Sequence, residues 1–350
     1  TVLYLGSSTG LAIAPAWTQD PTDQASAQFG VSVACAGDVN GDGFSDVVVG
    51  APWWSQPGPP QEGRVYTYFG SASGLPSAPS STSDPVDQDG AAFGEGVACA
   101  GDVNGDGLSD VVVGATSWDG AAADEGRACV LLGATRGLSV PPSWTQDPTN
   151  QNLSWFGYSV ASAGDVNGDG FADVVVGAPY WDGSVANEGS AYVLLGSATG
   201  LGGAPAWTAQ PADQASARFG WSVASAGDVN GDGYADVIVG AQSWDGAAAD
   251  EGRAYVYLGS AAGLSATPSW TADPTDQASA AFGRAVASAG DVNGDGFGDV
   301  IVGAGWWDGV GANEGRAYLY LGSSTGLAAA PAWTTDPTNL AGSYYGASVA

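Results

Sequence analysis

An all-β fold, a β-propeller of four-stranded antiparallel blades, is predicted by three features of this 350-residue sequence: a 63-residue internal period, four short strand-like runs in each period, and no stretch with helical periodicity. The period shows in an aromatic-glycine pair at Phe29-Gly30, Phe93-Gly94, Phe156-Gly157, Phe219-Gly220, Phe282-Gly283 and Tyr345-Gly346, spaced by 64 residues once and by 63 thereafter. In the unit that opens at Phe219 the strand candidates are "GWSVASA", "ADVIVGA", "RAYVYLG" and, more weakly, "TPSWTAD", separated by turns rich in Gly, Asn and Asp. Radial repetition of such units protects strand edges without closing a barrel. A β-helix would need a far shorter period, and a sandwich would need none.

The complete repeats fall at about 29–92, 93–155, 156–218, 219–281 and 282–344, all within one propeller domain spanning 1–350. The two ends supply a split, incomplete blade. Residues 1–28 carry "TVLYLG" and "APAWT" as third and fourth strands, and 345–350 carry "YGASVA" as a first strand. Six sectors are therefore expected, or seven if the parent chain is longer. The missing initiator Met and the start inside a strand-like run suggest a processed or excised chain.

Charge narrows the partners. Seven arginines and no lysine stand against 37 acids, a formal net charge of −30. That argues against nucleic acid or anionic lipid as a ligand and in favour of cations. No run of about 18 apolar residues occurs, so membrane insertion is not expected. The absence of histidine excludes Ser-His-Asp and Cys-His chemistry and His-based metal sites, and lysine nucleophiles are absent too.

Each complete repeat places an acidic loop between its first two strands. In Asp38-Val39-Asn40-Gly41-Asp42-Gly43-Phe44-Ser45-Asp46, side-chain oxygens fall at positions 1, 3, 5 and 9, and position 7 offers a backbone carbonyl. Glycine at position 6 permits the reversal that would wrap these oxygens around one point. The same set recurs at Asp102, Asn104, Asp106, Leu108 and Asp110; at Asp165, Asn167, Asp169, Phe171 and Asp173; at Asp228, Asn230, Asp232, Tyr234 and Asp236; and at Asp291, Asn293, Asp295, Phe297 and Asp299.

Hard oxygen donors in a loop of this size suit calcium, whereas magnesium demands a stricter octahedron. Five Ca²⁺, one per complete repeat, are the expected cofactors. An EF-hand would continue to a glutamate at position 12 between two helices, but position 12 is Val49, inside an apolar run. The alternative is a metal-free Asx turn. Three carboxylates in nine residues repel one another unless a cation or protonation relieves them, which favours the metal.

With Phe29-Gly30, Gly50-Ala51-Pro52 and the acidic loop between them, the unit resembles the FG-GAP repeat of the integrin α-subunit propeller. The likeness covers essentially the whole chain. Gly-Ala-Pro recurs at 177–179, but the triplet reads "GAT" at 114, "GAQ" at 240 and "GAG" at 303. The resemblance implies a calcium-binding hairpin on one face of the propeller, partners on the opposite face, and an adhesion or protein-interaction module that is secreted or on the cell surface. Near-identical repeats, each with its own loop, look more like a prokaryotic member.

Tryptophan recurs as "WDG" (Trp118, Trp181, Trp244, Trp307) and as "PxWT" (Trp17, Trp144, Trp207, Trp270, Trp333). Packing between blades is the expected role, and stacking on sugars the alternative, which would make the protein a lectin. The "EGR" motif opening the third strand, with Ser190 replacing Arg once, is expected to supply a buried acid–guanidinium contact. Cys35, Cys99 and Cys129 are expected to be free, buried thiols, since Cys99 and Cys129 would lie two strands apart. A hydrolase or lyase would have to work with Asp, Glu, Tyr and Arg alone, and no residue nominates a catalytic centre. "SQPGPPQ" (55–61), Glu95 and Arg284 depart from the repeat and are the places to look for a unique site.

Overall fold

The computed structural model describes residues 1–350 except 8–9, 22–25, 56–60, 86–87, 212–213, 275–276 and 338–339. Most of "SQPGPPQ" therefore lies outside the described residues. Among the described residues there is no helix, and the chain forms five four-stranded antiparallel sheets and two two-stranded ones. The architecture is a β-propeller. In the fourth repeat the strands are Phe219–Gly227, Asp236–Ala241, Arg253–Tyr257 and Trp270–Ala272, paired in sequence order. The first strands of successive repeats pack against one another, so they line the axis, and the short Trp-led fourth strands form the rim.

The second strands of repeats two to four, Asp110–Ala115, Asp173–Ala178 and Asp236–Ala241, are buried along their whole length, and those of repeats one and five at all but one residue. They read as continuous apolar runs because both faces meet neighbouring blades. Side chains from adjacent sheets interleave in each core: Val237, Val239 and Tyr257 of the fourth repeat pack with Val175 and Val193 of the third.

The aromatic-glycine and Gly-Ala motifs meet across this seam. A Cβ on Gly114 would overlap the carbonyl of Gly157, and one on Gly240 would overlap that of Gly283. Only glycine lets the two backbones approach so closely. The adjoining aromatic ring is buried within its own blade, with Phe219 5.3 Å from Tyr255 and Phe282 5.2 Å from Tyr318.

Two expectations need correction. The split blade keeps its outer strands, Val2–Leu3 paired with Trp17–Thr18. The expected first strand at 345–350 is reduced to one bridge, Tyr345 to Gly315, for want of a second strand to pair with. Of the three free thiols only Cys129 is buried; Cys99 is half-buried, and Cys35 is exposed and lines a cavity with Leu3 of the split blade.

Candidate metal centre

The acidic loops gather at one end of the first strands. In each, the aspartate at position 1 organises the turn. Asp38 Oδ1 accepts the amides of Gly41 (2.7 Å) and Asp42 (3.1 Å), and its Oδ2 accepts that of Gly43 (2.8 Å). Asn40 Oδ1 accepts the Asp42 amide, Asn40 Nδ2 donates to Asp42 Oδ2 at 3.0 Å, and Asp42 Oδ1 accepts the Phe44 amide. The pattern repeats nearly unchanged around Asp102, Asp165, Asp228 and Asp291. Positions 1, 3 and 5 are thus brought together in one exposed, all-oxygen loop.

Position 9 is different. Asp46, Asp110, Asp173, Asp236 and Asp299 are completely buried. In every repeat Oδ2 accepts the amide of position 2 and Oδ1 accepts the amide of a glycine just past the third strand, at 2.8–2.9 Å. This side chain braces the loop to the sheet, a role the sequence reading missed. Among the described residues no three acidic, Cys or His side chains converge on a point.

The donor set nevertheless fits a hard cation. Each position-9 oxygen accepts one N–H and keeps a lone pair, and a carboxylate can bridge a metal and an amide. Asp38, Asn40 and Asp42 would hold calcium from the exposed side, with Asp46 beneath.

Electrostatics separate the two kinds of carboxylate. Burial pushes Asp110, Asp173 and Asp236 up to about 6, against the pull of their amide bonds, and the neighbouring loop carboxylates add to the rise. At Asp291 the Gly296 amide, aided by those of Gly294, Asp295 and Asn293, holds the carboxyl below the usual range. At Asp38 desolvation opposes the same effect, but the Gly43, Gly41, Asp42 and Asn40 amides prevail.

The loops are also linked to one another. The position-8 amide donates to the position-1 carbonyl of the preceding repeat: Ser109 to Asp38, Ala172 to Asp102, Ala235 to Asp165 and Gly298 to Asp228, at 2.7–3.0 Å. The position-7 side chain seats on the preceding loop, and a Cβ on Gly105, Gly168 or Gly231 would strike the ring of Phe171, Tyr234 or Phe297. Ordering one loop therefore orders its neighbour.

The tryptophans are engaged structurally. The rim indoles donate to the next repeat (Trp17 to Pro76, Trp144 to Gly202, Trp207 to Ser265, Trp270 to Ala328) at 2.8–2.9 Å. Trp17, Trp207 and Trp270 also stand edge-on to that repeat's Tyr68, Tyr257 and Tyr320.

Three of the four "WDG" rings carry an arginine, with Arg127 3.3 Å over Trp118, Arg253 3.3 Å over Trp244 and Arg316 3.5 Å over Trp307; in the first repeat Arg64 covers the equivalent Trp54, and Trp181, whose repeat has Ser190, is the exception. These arginines pair with an aspartate 20 residues on (Asp84, Asp147, Asp273 and Asp336), not with the motif's own glutamate. That glutamate is buried and caps the preceding turn, as when Glu251 accepts the Ala247 and Ala248 amides. Where Ser190 replaces the arginine, Gln210 stands in the aspartate's place. Replacing Arg253 with Ala removes one stacked cation and one half-exposed ion pair, and is expected to cost about 1–2 kcal/mol in urea unfolding.

Fold and site together define a propeller whose complete repeats each carry one acidic hairpin at the same end. The FG-GAP repeat family matches residues 29–68, 93–131, 156–194, 219–257 and 282–320, and the chain belongs to that family. Integrin alpha-5 of Xenopus laevis is 32% identical over 249 residues, covering 69% of this chain and 22% of the relative. Human integrin alpha-IIb is 37% identical over 174 residues, covering 48% of this chain and 16% of the relative. The chain thus spans about a fifth or less of these integrin subunits. The Saccharomyces cerevisiae Sqt1 structure superposes with a TM-score of 0.50 at 10% identity, over 91% of this chain and 64% of Sqt1, a likeness of fold alone. No helix among the described residues is long and apolar enough to cross a membrane.

Proposed function

We propose that this propeller is a calcium-binding, non-catalytic interaction module of a secreted or cell-surface protein, with one Ca²⁺ in each complete repeat and a protein ligand at the opposite end of the axis. The observation that carries the reading is the fivefold recurrence of one exposed Asp-Asn-Asp oxygen cluster, with each of the last four linked by a backbone hydrogen bond to the loop before it. Calcium at extracellular concentration fills sites of even modest affinity. The five ions would reduce the net charge from −30 to about −20, so the surface stays acidic and unsuited to nucleic acid. The adhesion role and the location rest on the likeness to integrin α-subunits.

Calorimetric titration of the metal-free protein with calcium is expected to give about five sites. Magnesium should bind more weakly, and a stoichiometry near zero would end the calcium reading. The glycan-binding reading draws no support from the Trp118, Trp244 and Trp307 rings, which carry an arginine on one face. Trp244→Ala is accordingly expected to lower the melting temperature and to leave glycan-array signals at background.

A further inference from the structure

The residues that break the repeat converge. At the end of the first strands away from the acidic loops, the residue after the aromatic-glycine pair is Glu95, Tyr158, Trp221 and Arg284 in repeats two to five. Trp155 immediately precedes the pair that opens repeat three and Arg218 the pair that opens repeat four, both in the left-handed region at φ 54° and 57°. These side chains meet across blades. Tyr158 lies 4.6 Å from Trp221, and Trp155 lies 4.6 Å from Tyr180. Trp221 is flanked by two guanidinium groups, Arg218 and Arg284, each 5.7 Å from its ring. Arg218 also lies over Tyr180, and Arg284 over the exposed Trp306.

This cluster is not a further copy of the arginine stacks in the repeats. Those four arginines each hold an aspartate, whereas among the described residues neither Arg218 nor Arg284 has an acid partner, in a chain with 37 acids. Among the described residues Arg218 Nε is buried without a hydrogen-bond acceptor, and Arg284 donates to the neutral Gln242 Oε1 at 2.9 Å. Half-buried guanidinium groups on aromatic rings strongly favour a counter-charge, and a planar carboxylate matches their fork.

We propose that this end of the axis binds an aspartate or glutamate side chain presented by an extended segment of a partner protein, with Arg218 and Arg284 gripping the carboxylate above the Trp221 ring. The cluster sets two guanidinium groups among the faces of Trp221, Tyr180 and Trp306, which suits one carboxylate flanked by apolar contacts. The protein's own −30 charge disfavours a polyanion at long range, so an isolated acid is the better match. Glu95, on the blade next to Tyr158, is the one carboxylate on this rim of repeat-breaking residues, and it opposes the bound group.

The proposal deepens the interaction-module reading and rests on it. The test is an array of random 12-residue peptides probed with the calcium-loaded protein, followed by fluorescence anisotropy with a labelled glycine-rich peptide carrying one Glu or one Gln. The expected result is enrichment of Asp and Glu among bound peptides and a preference for the Glu probe. Arg218→Gln and Arg284→Gln should each weaken that probe about tenfold or more with the melting temperature held. Glu95→Gln should strengthen it, which keeps the test sharp if an arginine variant fails to fold. Peptides bound without acidic enrichment, and equally well by the arginine variants, would overturn the proposal and leave the interaction module standing. Binding confined to uronate-bearing oligosaccharides, or to nothing, would overturn both.

Discussion

In excess EGTA the protein is expected to unfold at a midpoint on the order of 10–20 °C below its midpoint in millimolar calcium. A ligand that binds only the folded chain stabilises it by about 2.7 kcal/mol per site at a hundredfold excess over Kd, and five sites make this the dominant adjustable term. Converted through the unfolding entropy of a chain this long, the sum gives the stated shift. The geometry says how the effect spreads. Each of the last four loops donates through its position-8 amide to the loop before it, and sets its position-7 side chain on that loop's glycine. Loss of one ion should therefore weaken its neighbours, and calcium should restore the midpoint with a cooperative dependence on concentration. Magnesium should restore only part of it. An unchanged midpoint in scanning calorimetry, with and without chelator, would mean that the hydrogen bonds within the loops hold them unaided.

The period, the strand order within a repeat and the place of the acidic loop were legible because each depends on neighbours in sequence. What was not legible depends on ring closure. Glu95 and Arg284 stand out as departures from the repeat, yet nothing local says that they share one end of the axis with Trp155, Tyr180 and Arg218, since adjacent blades bring them together. The arginine of "EGR" reads as a partner for the glutamate beside it, but the strand opens only at the arginine, and the left-handed glycine between them, Gly252 at φ 82°, turns the glutamate back onto the preceding turn. The arginine finds an aspartate across the sheet instead, and a missing arginine coincides with a missing aspartate at Ser190 and Gln210. The exposure of Cys35 and the single bridge at 345–350 both fall beside the split blade, and a repeat consensus carries no signal for either.

The position-9 aspartate was read only as a ligand, and comparing two substitutions in one loop separates ligand from brace. Asp232 is exposed, and water can replace the bonds it makes to the Tyr234 amide and to Asn230 Nδ2. Asp232→Ala should therefore abolish calcium binding at that loop and change stability in EGTA by no more than about 0.5 kcal/mol. Asp236→Ala leaves the Val229 and Gly259 amides buried without acceptors, two losses of about 1–3 kcal/mol each. It should lower stability by roughly 2–6 kcal/mol even in EGTA, and Asp236→Asn should fall between the two, because one of its two acceptors becomes a donor facing an N–H. Urea unfolding of the three variants, with and without calcium, reads both effects. If Asp236→Ala matched Asp232→Ala in chelator, the buried carboxylate would be a ligand alone, and the brace between loop and sheet would carry no free energy of its own.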